Sequence, residues 1–249
     1  MTLHHRNRAV AGAGGAFVPN ATNSFMYELF DSEGVYMHGK TLDYTERAGG
    51  NWGCRYGNSD GQPTGGEWTY TYNGGGTYAR VTDCMPNWGE MVAGGYHYIA
   101  KQYLPNVSND WWHELFHQNS AGVFNATNEL RLWLRGDGAG QVILGSTSYA
   151  GGNWRGDKGS TGWATRPASG LVGIDAWFPS SYTFKLRLVD LTDEENPVLL
   201  AESGTLSDNY GSSKNNSDDH KLGLAPRTNS GSWRIDWLCV TAEDPFGGL

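Results

Sequence analysis

Short segments of alternating apolar and polar residues recur from residue 25 to residue 241 of this chain. Gly, Asn, Asp and Pro separate these segments, and the combination is typical of β-strands joined by tight connections. No segment has the apolar spacing of a helix longer than one turn. The sequence therefore predicts an all-β fold of about thirteen strands. The predicted strands span residues 25–30, 35–44, 68–72, 77–82, 96–104, 111–117, 129–135, 141–147, 171–177, 182–191, 198–202, 221–224 and 233–241.

So many short strands must protect their edges from unwanted pairing. The economical arrangement is a two-sheet antiparallel β-sandwich, or jelly roll, in which both sheets share one core. A length of 249 residues is consistent with one large β domain. We predict a Gly-rich N-terminal arm over residues 1–23 and a single β-sandwich domain over residues 24–249. We expect the arm to take part in self-assembly of the chain.

Alternation within two of the strands predicts which side chains enter the core. Strand 182–191 places one set of side chains inward, namely Tyr182, Phe184, Leu186 and Leu188. Its opposite face carries Thr183, Lys185 and Arg187. Strand 129–135 places Leu130, Leu132 and Leu134 inward. Its opposite face carries Glu129, Arg131, Trp133 and Arg135.

The distribution of charge differs from the charge total. The formal net charge is −8, which argues against nucleic acid as a partner, because phosphate neutralisation needs clustered Lys and Arg. Much of the acid falls in turns, whereas strand faces carry Arg131, Arg135, Lys185 and Arg187, with Lys101 as a further candidate. We predict a basic sheet face that binds an anionic ligand. The alternative is an ordinary solvated face with extended Arg and Lys side chains.

Aromatic residues provide a second indication of a ligand. Trp133 lies on the predicted basic face and offers a stacking surface for a sugar ring. Tryptophans in Gly- and Asn-rich loops have little local core to enter, and we expect some of the four to project outward: Trp52, Trp88, Trp154 and Trp163. Others fall in apolar alternation and are expected in the core: Trp111, Trp177, Trp233 and Trp237. The predicted glycan-binding residues are Trp133, Arg135, Lys185, Arg187 and Trp154.

Two histidines are the candidate acid–base residues. His113 and His117 are four residues apart, so they share a face if the segment is an uninterrupted strand. Residues 113–117 also read HExxH, which on a helix would be a zinc-protease motif. The segment is short, aromatic and placed between strands, which favours the strand.

Metal and cofactor sites receive little support from the sequence. Residues 190–197 are predicted to be a solvated acidic hairpin loop, with a structural calcium site as the alternative. We expect no other cofactor. Arg-Gly-Asp occurs at residues 135–137 and 155–157, where we expect the chain to turn.

The cysteines and the N-terminus bear on the compartment. Cys54 and Cys84 lie in Gly-rich segments and are either disulfide-bonded or free, and Cys239 is expected to be a small buried apolar residue. The first residues lack a secretory h-region, so either the chain is not exported by that route or a signal was removed. No run of about 18 apolar residues occurs, so we expect no membrane insertion.

Several segments together resemble a known superfamily. Residues 96–105 (YHYIAKQYLP), 111–118 (WWHELFHQ), 129–136 (ELRLWLRG) and 232–241 (SWRIDWLCVT) resemble strands of concanavalin A-like jelly rolls. That superfamily includes laminin-G-like lectin domains and heparin-lyase-like polysaccharide lyases. The resemblance implies a jelly-roll fold and a polysaccharide or cell-surface glycan as partner.

The lyase branch of this resemblance implies β-elimination on a uronate-containing glycan. Arg131 or Arg135 would neutralise the carboxylate, His113 or His117 would be the base, and Tyr98 would be the acid. The lyase motifs RTELR, QIH and YFKAG are not matched. We therefore expect a glycan-binding protein, located outside the cell or on a virus particle. The alternatives are a polysaccharide lyase and a viral or extracellular structural protein.

Overall fold

The chain builds two antiparallel β-sheets. The computed structural model describes residues 16–30, 35–37, 40–42, 68–71, 94–105, 110–119, 129–150, 153–179, 183–207, 221–223, 227–228 and 232–247. Side chains are described within residues 16–30, 94–105, 130–148, 157–179, 183–207 and 234–247.

In the described part of the chain, ten strands form the first sheet. They are β1 (Met26–Glu28), β2 (Val35–Met37), β3 (Lys40–Leu42), β4 (Trp68–Thr71), β5 (Tyr96–Tyr103), β11 (Leu171–Phe178), β12 (Thr183–Asp190), β13 (Val198–Glu202), β14 (Leu206–Ser207) and β17 (Ser232–Thr241). The order across the sheet is β13-β12-β11-β5-β17-β1-β2-β3, with β14 paired to β12 and β4 paired to β17.

Seven further strands within the described ranges form the second sheet. They are β6 (Asp110–Asn119), β7 (Glu129–Asp137), β8 (Gln141–Ala150), β9 (Asn153–Ser160), β10 (Ala164–Thr165), β15 (Lys221–Gly223) and β16 (Arg227–Thr228). The order is β10-β8-β7-β6-β15, with β9 paired to β8 and β16 paired to β6. Every strand pairing within both sheets is antiparallel.

A single apolar cluster lies between the two sheets and joins them into a sandwich. It contains the predicted inward residues of β7, which are Leu130, Leu132 and Leu134. It also contains Phe184, Leu186 and Leu188 of β12, in the other sheet. Burying each of these side chains contributes about 1.5–3 kcal/mol. The prediction of an all-β two-sheet sandwich is confirmed, and so are the inward positions of these six residues, while Tyr182 lies outside the described residues.

The strand boundaries follow the prediction closely, with some differences. Predicted strand 35–44 is two paired strands, β2 and β3. The strands β9, β10, β14 and β16 were not predicted. Three of these are two residues long, while β9 is rich in Gly and polar residues and is held by backbone pairing with β8. Predicted strand 77–82 lies outside the described residues.

A second apolar cluster covers the outer face of the first sheet. Its centre is Trp237, Cys239 and Phe246, and Phe17 from the N-terminal segment packs on Trp237 with ring centroids 5.7 Å apart. Thr241 Oγ1 donates to the Asn23 carbonyl at 2.6 Å. The described end of the predicted arm therefore packs on the sandwich of its own chain.

Cys239 lies fully inside this second cluster, as predicted. Burial raises the pKa of its thiol, against a smaller opposing effect of the Ser24 hydrogen bond. Cys54 and Cys84 lie outside the described residues. Within the described ranges, no helix is long and apolar enough to cross a membrane.

Register shifts interrupt alternation in two long strands. The first lies in β6 between Glu114 and Phe116. The second lies in β17 between Ile235 and Trp237, so Ile235 joins the core between the sheets while Trp237 joins the outer cluster. One extra residue sends every later side chain to the other face.

Gly173 of β11 makes a testable contribution to this architecture. A Cβ atom there would lie 2.7 Å from Cζ of Phe246 and 3.1 Å from Cδ1 of Leu191. We expect Gly173→Val to displace Phe246 and lower the free energy of unfolding by about 1–3 kcal/mol. Urea denaturation would measure the change. Gly162→Ala, where nothing lies within 4 Å of the added atom, is the control, and equal stability of both variants would contradict the packing argument.

Candidate functional site

The outer face of the second sheet carries Trp133, which is half-buried. Its Cα partner on β8 is Gly145. A Cβ atom at Gly145 would overlap three adjacent ring atoms of Trp133, Cε2, Cζ2 and Cη2. These three ring atoms would lie at similar short distances from that Cβ position, so the indole lies across the strand at Gly145. Only glycine leaves room for this placement. One side of the indole ring lies against the strand at Gly145, and the opposite side points away from the sheet.

Hydrogen bonds fix the orientation of this ring. Trp133 Nε1 donates to Thr147 Oγ1 at 2.9 Å. Thr147 Oγ1 in turn donates to Asp157 Oδ1 at 3.2 Å. Thr147 is the Cα partner of Asp157 on the neighbouring strand β9. The polar edge of the indole is therefore connected through one hydroxyl to a carboxylate.

Two arginines flank Trp133 along β7. Arg135 is exposed and lies opposite Ile143. Arg131 lies opposite Thr147 and is only 3% exposed. We call Trp133, Gly145, Thr147, Asp157 and Arg135 the Trp133 surface.

A further tryptophan, six residues after Asp157 in the sequence, is exposed. Trp163 is 44% exposed. It precedes Ala164, whose side chain lies in the core and whose Cα partner is Val142. The prediction that Trp163 projects outward is confirmed.

The predicted basic face is divided between two sides of the molecule. Arg131 and Arg135 belong to the second sheet, whereas Lys185 and Arg187 belong to β12 of the first sheet. Both groups lie opposite core-facing residues of their own strand, so they occupy the two opposite outer faces of the sandwich. The prediction of one continuous basic face is therefore wrong.

A chain of buried charges, not predicted from the sequence, engages Arg187. Arg187 Nε donates to Asp175 Oδ2 at 2.8 Å, and its two terminal nitrogens donate to Asp244 at 3.1 and 2.6 Å. His97 Nδ1 lies 2.8 Å from the other oxygen of Asp175, which is 0% exposed. These four residues form the His97–Asp244 network, which fastens the C-terminal turn to the first sheet.

The pKa directions agree with this geometry. Burial alone would lower the pKa of Arg187, but its hydrogen bonds and charge pairing with Asp244 and Asp175 outweigh burial and raise it. Burial alone would raise the pKa of Asp244, but Arg187 outweighs it and holds the pKa below the ordinary value. All three guanidinium nitrogens of Arg187 are engaged within the protein, which leaves little for the predicted contact with a glycan.

Trp177 and Lys185 lie beside this network. The Trp177 ring is stacked on His97 with centroids 5.9 Å apart, and Lys185 Nζ lies 5.9 Å from the Trp177 centroid. Trp177 is half-buried on the outer face of the first sheet. The prediction that Trp177 lies in the core is wrong, because its neighbours Ala176 and Phe178 take the inward positions of β11.

Lys101 is also neutralised within the protein. Its Nζ lies 2.7 Å from Glu194 and 3.2 Å from Asp236. Burial alone would lower the pKa of Lys101, but the hydrogen bonds to these carboxylates outweigh burial and raise it. Glu194 belongs to loop 190–197, so this loop is partly anchored to the sheet and not wholly solvated as predicted.

The carboxylate of Asp193 serves the turn of the same loop. It accepts hydrogen bonds from the backbone of Glu195 and from the side chain of Asn196. Among the described residues, no group of three or more His, Cys, Asp or Glu could hold a metal ion. The calcium alternative for this loop stays a prediction.

The two candidate histidines occupy different register positions. His113 lies opposite Leu134, a core residue, whereas His117 lies opposite Arg131. The register shift in β6 therefore removes the uninterrupted alternation on which a shared face depended. Residues 110–119 form a strand, which excludes the helical HExxH alternative. The side chains of His113, His117 and Trp154 lie outside the described part of the structure.

Tyr98 lies apart from the other predicted lyase residues. It is 1% exposed in the core between the sheets, and burial raises the pKa of its hydroxyl. Arg131 lies on the outer side of the second sheet, so that sheet separates Arg131 from Tyr98. The structure does not bring these two side chains to one substrate.

The two Arg-Gly-Asp segments differ from each other. Asp137 ends β7, and its carboxylate accepts the backbone N–H groups of Ala139 and Gln141, as expected of a turn. Residues 155–157 lie inside β9, so the turn predicted there is wrong. Because Asp157 belongs to β9 and pairs with Thr147 of β8, it is part of the Trp133 surface.

Comparison with known proteins gives structural likeness alone. No protein-family model and no curated protein matches the sequence. A galectin, LEC-6 of Caenorhabditis elegans, is 11% identical, with a TM-score of 0.39, over 70% of this chain and 95% of its own. A CBM2 module of the evolved Dit of Lactobacillus casei BL23 phage J-1 is 13% identical, with a TM-score of 0.41, over 76% of each chain.

A third similar structure is an alginate lyase from Alteromonas sp. 272, which is 9% identical, with a TM-score of 0.30, over 72% of this chain and 70% of its own. A galectin, a CBM2 module and an alginate lyase are thus among the similar structures. With TM-scores this low they carry no argument about function, and the sandwich rests on its own strand order and core.

Asp175 is the residue whose loss should most disturb the His97–Asp244 network. Asp175→Asn removes the fully buried one of the two carboxylates that compensate Arg187, and we expect the free energy of unfolding to fall by about 3 kcal/mol. Chemical denaturation would measure it. Glu202→Gln changes an exposed carboxylate opposite Arg187 and should cost less than about 0.5 kcal/mol. Similar losses in both variants would contradict the assigned role.

The network also predicts a pH dependence. Because the folded pKa of Asp244 lies below its ordinary value, its pairing with Arg187 adds stability above about pH 4. This stability is lost as the pH falls through the lowered pKa. We therefore expect wild type to exceed Asp244→Asn in unfolding free energy near neutral pH, with the difference vanishing in strong acid. Urea titrations across this range would show it, and a difference independent of pH would contradict the ion pair.

Proposed function

We propose that this protein binds a glycan at the Trp133 surface. The observation that carries the proposal is the indole laid across Gly145 with its Nε1 held by Thr147. A ring fixed in this way offers a flat apolar face without losing rotamer freedom when a ligand binds. The C–H faces of sugar rings are apolar, and their hydroxyls need hydrogen-bond partners beside the ring.

Polar groups at the margins of Trp133 meet that second requirement. Asp157 is exposed on one side and accepts hydrogen bonds. Arg135, on the other side, is exposed and carries a guanidinium group, which is a hydrogen-bond donor. An aromatic platform flanked by an acceptor and a donor is the composition expected of a carbohydrate site on a sheet face.

Binding is preferred to catalysis on geometric grounds. Elimination from a uronate needs a neutralising cation, a base and an acid at one sugar. Tyr98, the predicted acid, lies in the core, whereas the predicted neutralising cations, Arg131 and Arg135, lie on the outer side of the second sheet. The proposed location outside the cell or on a virus particle follows from a glycan partner and rests on the sequence.

Trp133→Ala tests the proposal directly. Loss of the stacking face should weaken glycan binding by at least about tenfold, or about 1.4 kcal/mol. The measurement is a glycan array followed by calorimetry on the glycans retained. Trp177→Ala makes the same change on the opposite outer face and should leave affinity unchanged. Binding that survives Trp133→Ala, or that is lost equally in Trp177→Ala, would place the site elsewhere.

Gly145→Ala tests the orientation of the ring while keeping the tryptophan. The added Cβ would overlap the indole and must move it off the strand. We expect a loss of affinity similar to that of Trp133→Ala, with the fold retained because alanine is accepted in strands. The control is Gly204→Ala, where nothing lies within 4 Å of the new atom. Unchanged affinity in Gly145→Ala would show that the flat placement is not needed.

A further inference from the structure

The carboxylate at the polar edge of Trp133 suggests which sugars fit there. Asp157 Oδ1 accepts from Thr147, which accepts from Trp133, so ring and carboxylate hold a fixed relation. No salt bridge of Asp157 occurs among the residues whose side chains are described. Its negative charge is therefore not cancelled by a cation of the described surface.

A bulge in β9 places Asp157 at this position. Ser146 pairs with Gly159, but the next residue, Thr147, pairs with Asp157 and not with Lys158. Lys158 is the extra residue, and Gly159 beside it has φ +132, which favours glycine. Bulges of this kind redirect side chains and are frequent next to functional sites. Without the bulge, Lys158 and not Asp157 would be the Cα partner of Thr147.

Among the described side chains, neither Arg131 nor Arg135 forms a salt bridge with Asp157. Arg131 lies in the same cross-strand row as Thr147 and Asp157, but its side chain is almost fully buried. Arg135 lies on the other side of Trp133, about 13 Å along the strand from Arg131. Among the described side chains, Asp157 is the charged group that is linked through Thr147 to the Nε1 edge of the indole.

We propose that Asp157 selects neutral, hydroxyl-rich sugars at the Trp133 surface and disfavours sugars that carry a carboxylate or sulfate on that side. The inference rests on the proposed glycan-binding function. Asp157 would accept hydrogen bonds from two neighbouring sugar hydroxyls, and bonds to a charged acceptor are about twice as strong as neutral ones. An acidic substituent at the same place meets like charge and loses its hydration, which gives discrimination through repulsion.

The experiment compares matched sugars on the full chain. The probes are oligosaccharides of glucose and of galactose, each paired with its uronic acid counterpart of equal length and linkage. We expect wild type to prefer the neutral member of the bound pair by about tenfold. In Asp157→Asn this preference should fall to about twofold, through weaker neutral binding and stronger uronate binding. Added salt should reduce the preference of wild type more than that of the variant.

Controls separate this inference from the function on which it rests. Glu195→Gln removes one exposed carboxylate from loop 190–197 and should keep the wild-type preference. A preference unchanged by Asp157→Asn, or a wild type that prefers uronates, would overturn the inference and leave glycan binding intact. Binding that does not depend on Trp133, or no binding to any probe, would overturn the proposed function as well.

Discussion

The core between the two sheets determines what each strand can present to solvent. Leu130, Leu132 and Leu134 enter it from one sheet, and Phe184, Leu186 and Leu188 enter it from the other. In each strand, the residues that alternate with these core residues point outward. Since stacked sheets pack about 10 Å apart, the outward residues of the two strands lie on opposite sides of the sandwich. Once this core forms, Trp133 and Lys185 cannot contact the same small ligand.

The difference between local and non-local information explains how much the sequence could predict. Alternation has a period of two residues and is visible in one strand, so the inward faces of β7 and β12 were predicted correctly. Sheet membership depends on pairings between distant segments, such as β11 with β5. Grouping Arg135 with Arg187 required that knowledge, and this is why the predicted basic face was wrong although the inward faces of β7 and β12 were predicted correctly.

Single extra residues limit the same reasoning at the candidate site. The shift between Glu114 and Phe116 moves His113 and His117 to different register positions, and the bulge at Lys158 places Asp157 beside Thr147. The sequence of β9 has little apolar alternation. The strand is held by backbone pairing with β8, and this pairing leaves no pattern in the sequence. Gly159 marks the bulge, but a glycine in a sequence also fits a turn, and this is why Gly156 was interpreted as part of a turn at residues 155–157.

The ion pairs change what the net charge of −8 implies for a ligand. Lys101 and Arg187 compensate carboxylates of their own chain at distances of 2.6–3.2 Å. Their charges are therefore not available to an anionic partner, whereas Asp157 has no such cation among the described side chains. A flat indole beside an uncompensated carboxylate favours ligands that supply hydroxyl donors and apolar C–H faces. On this argument the overall acidity of the chain agrees with the proposed preference of the Trp133 surface for a neutral glycan over a polyanion.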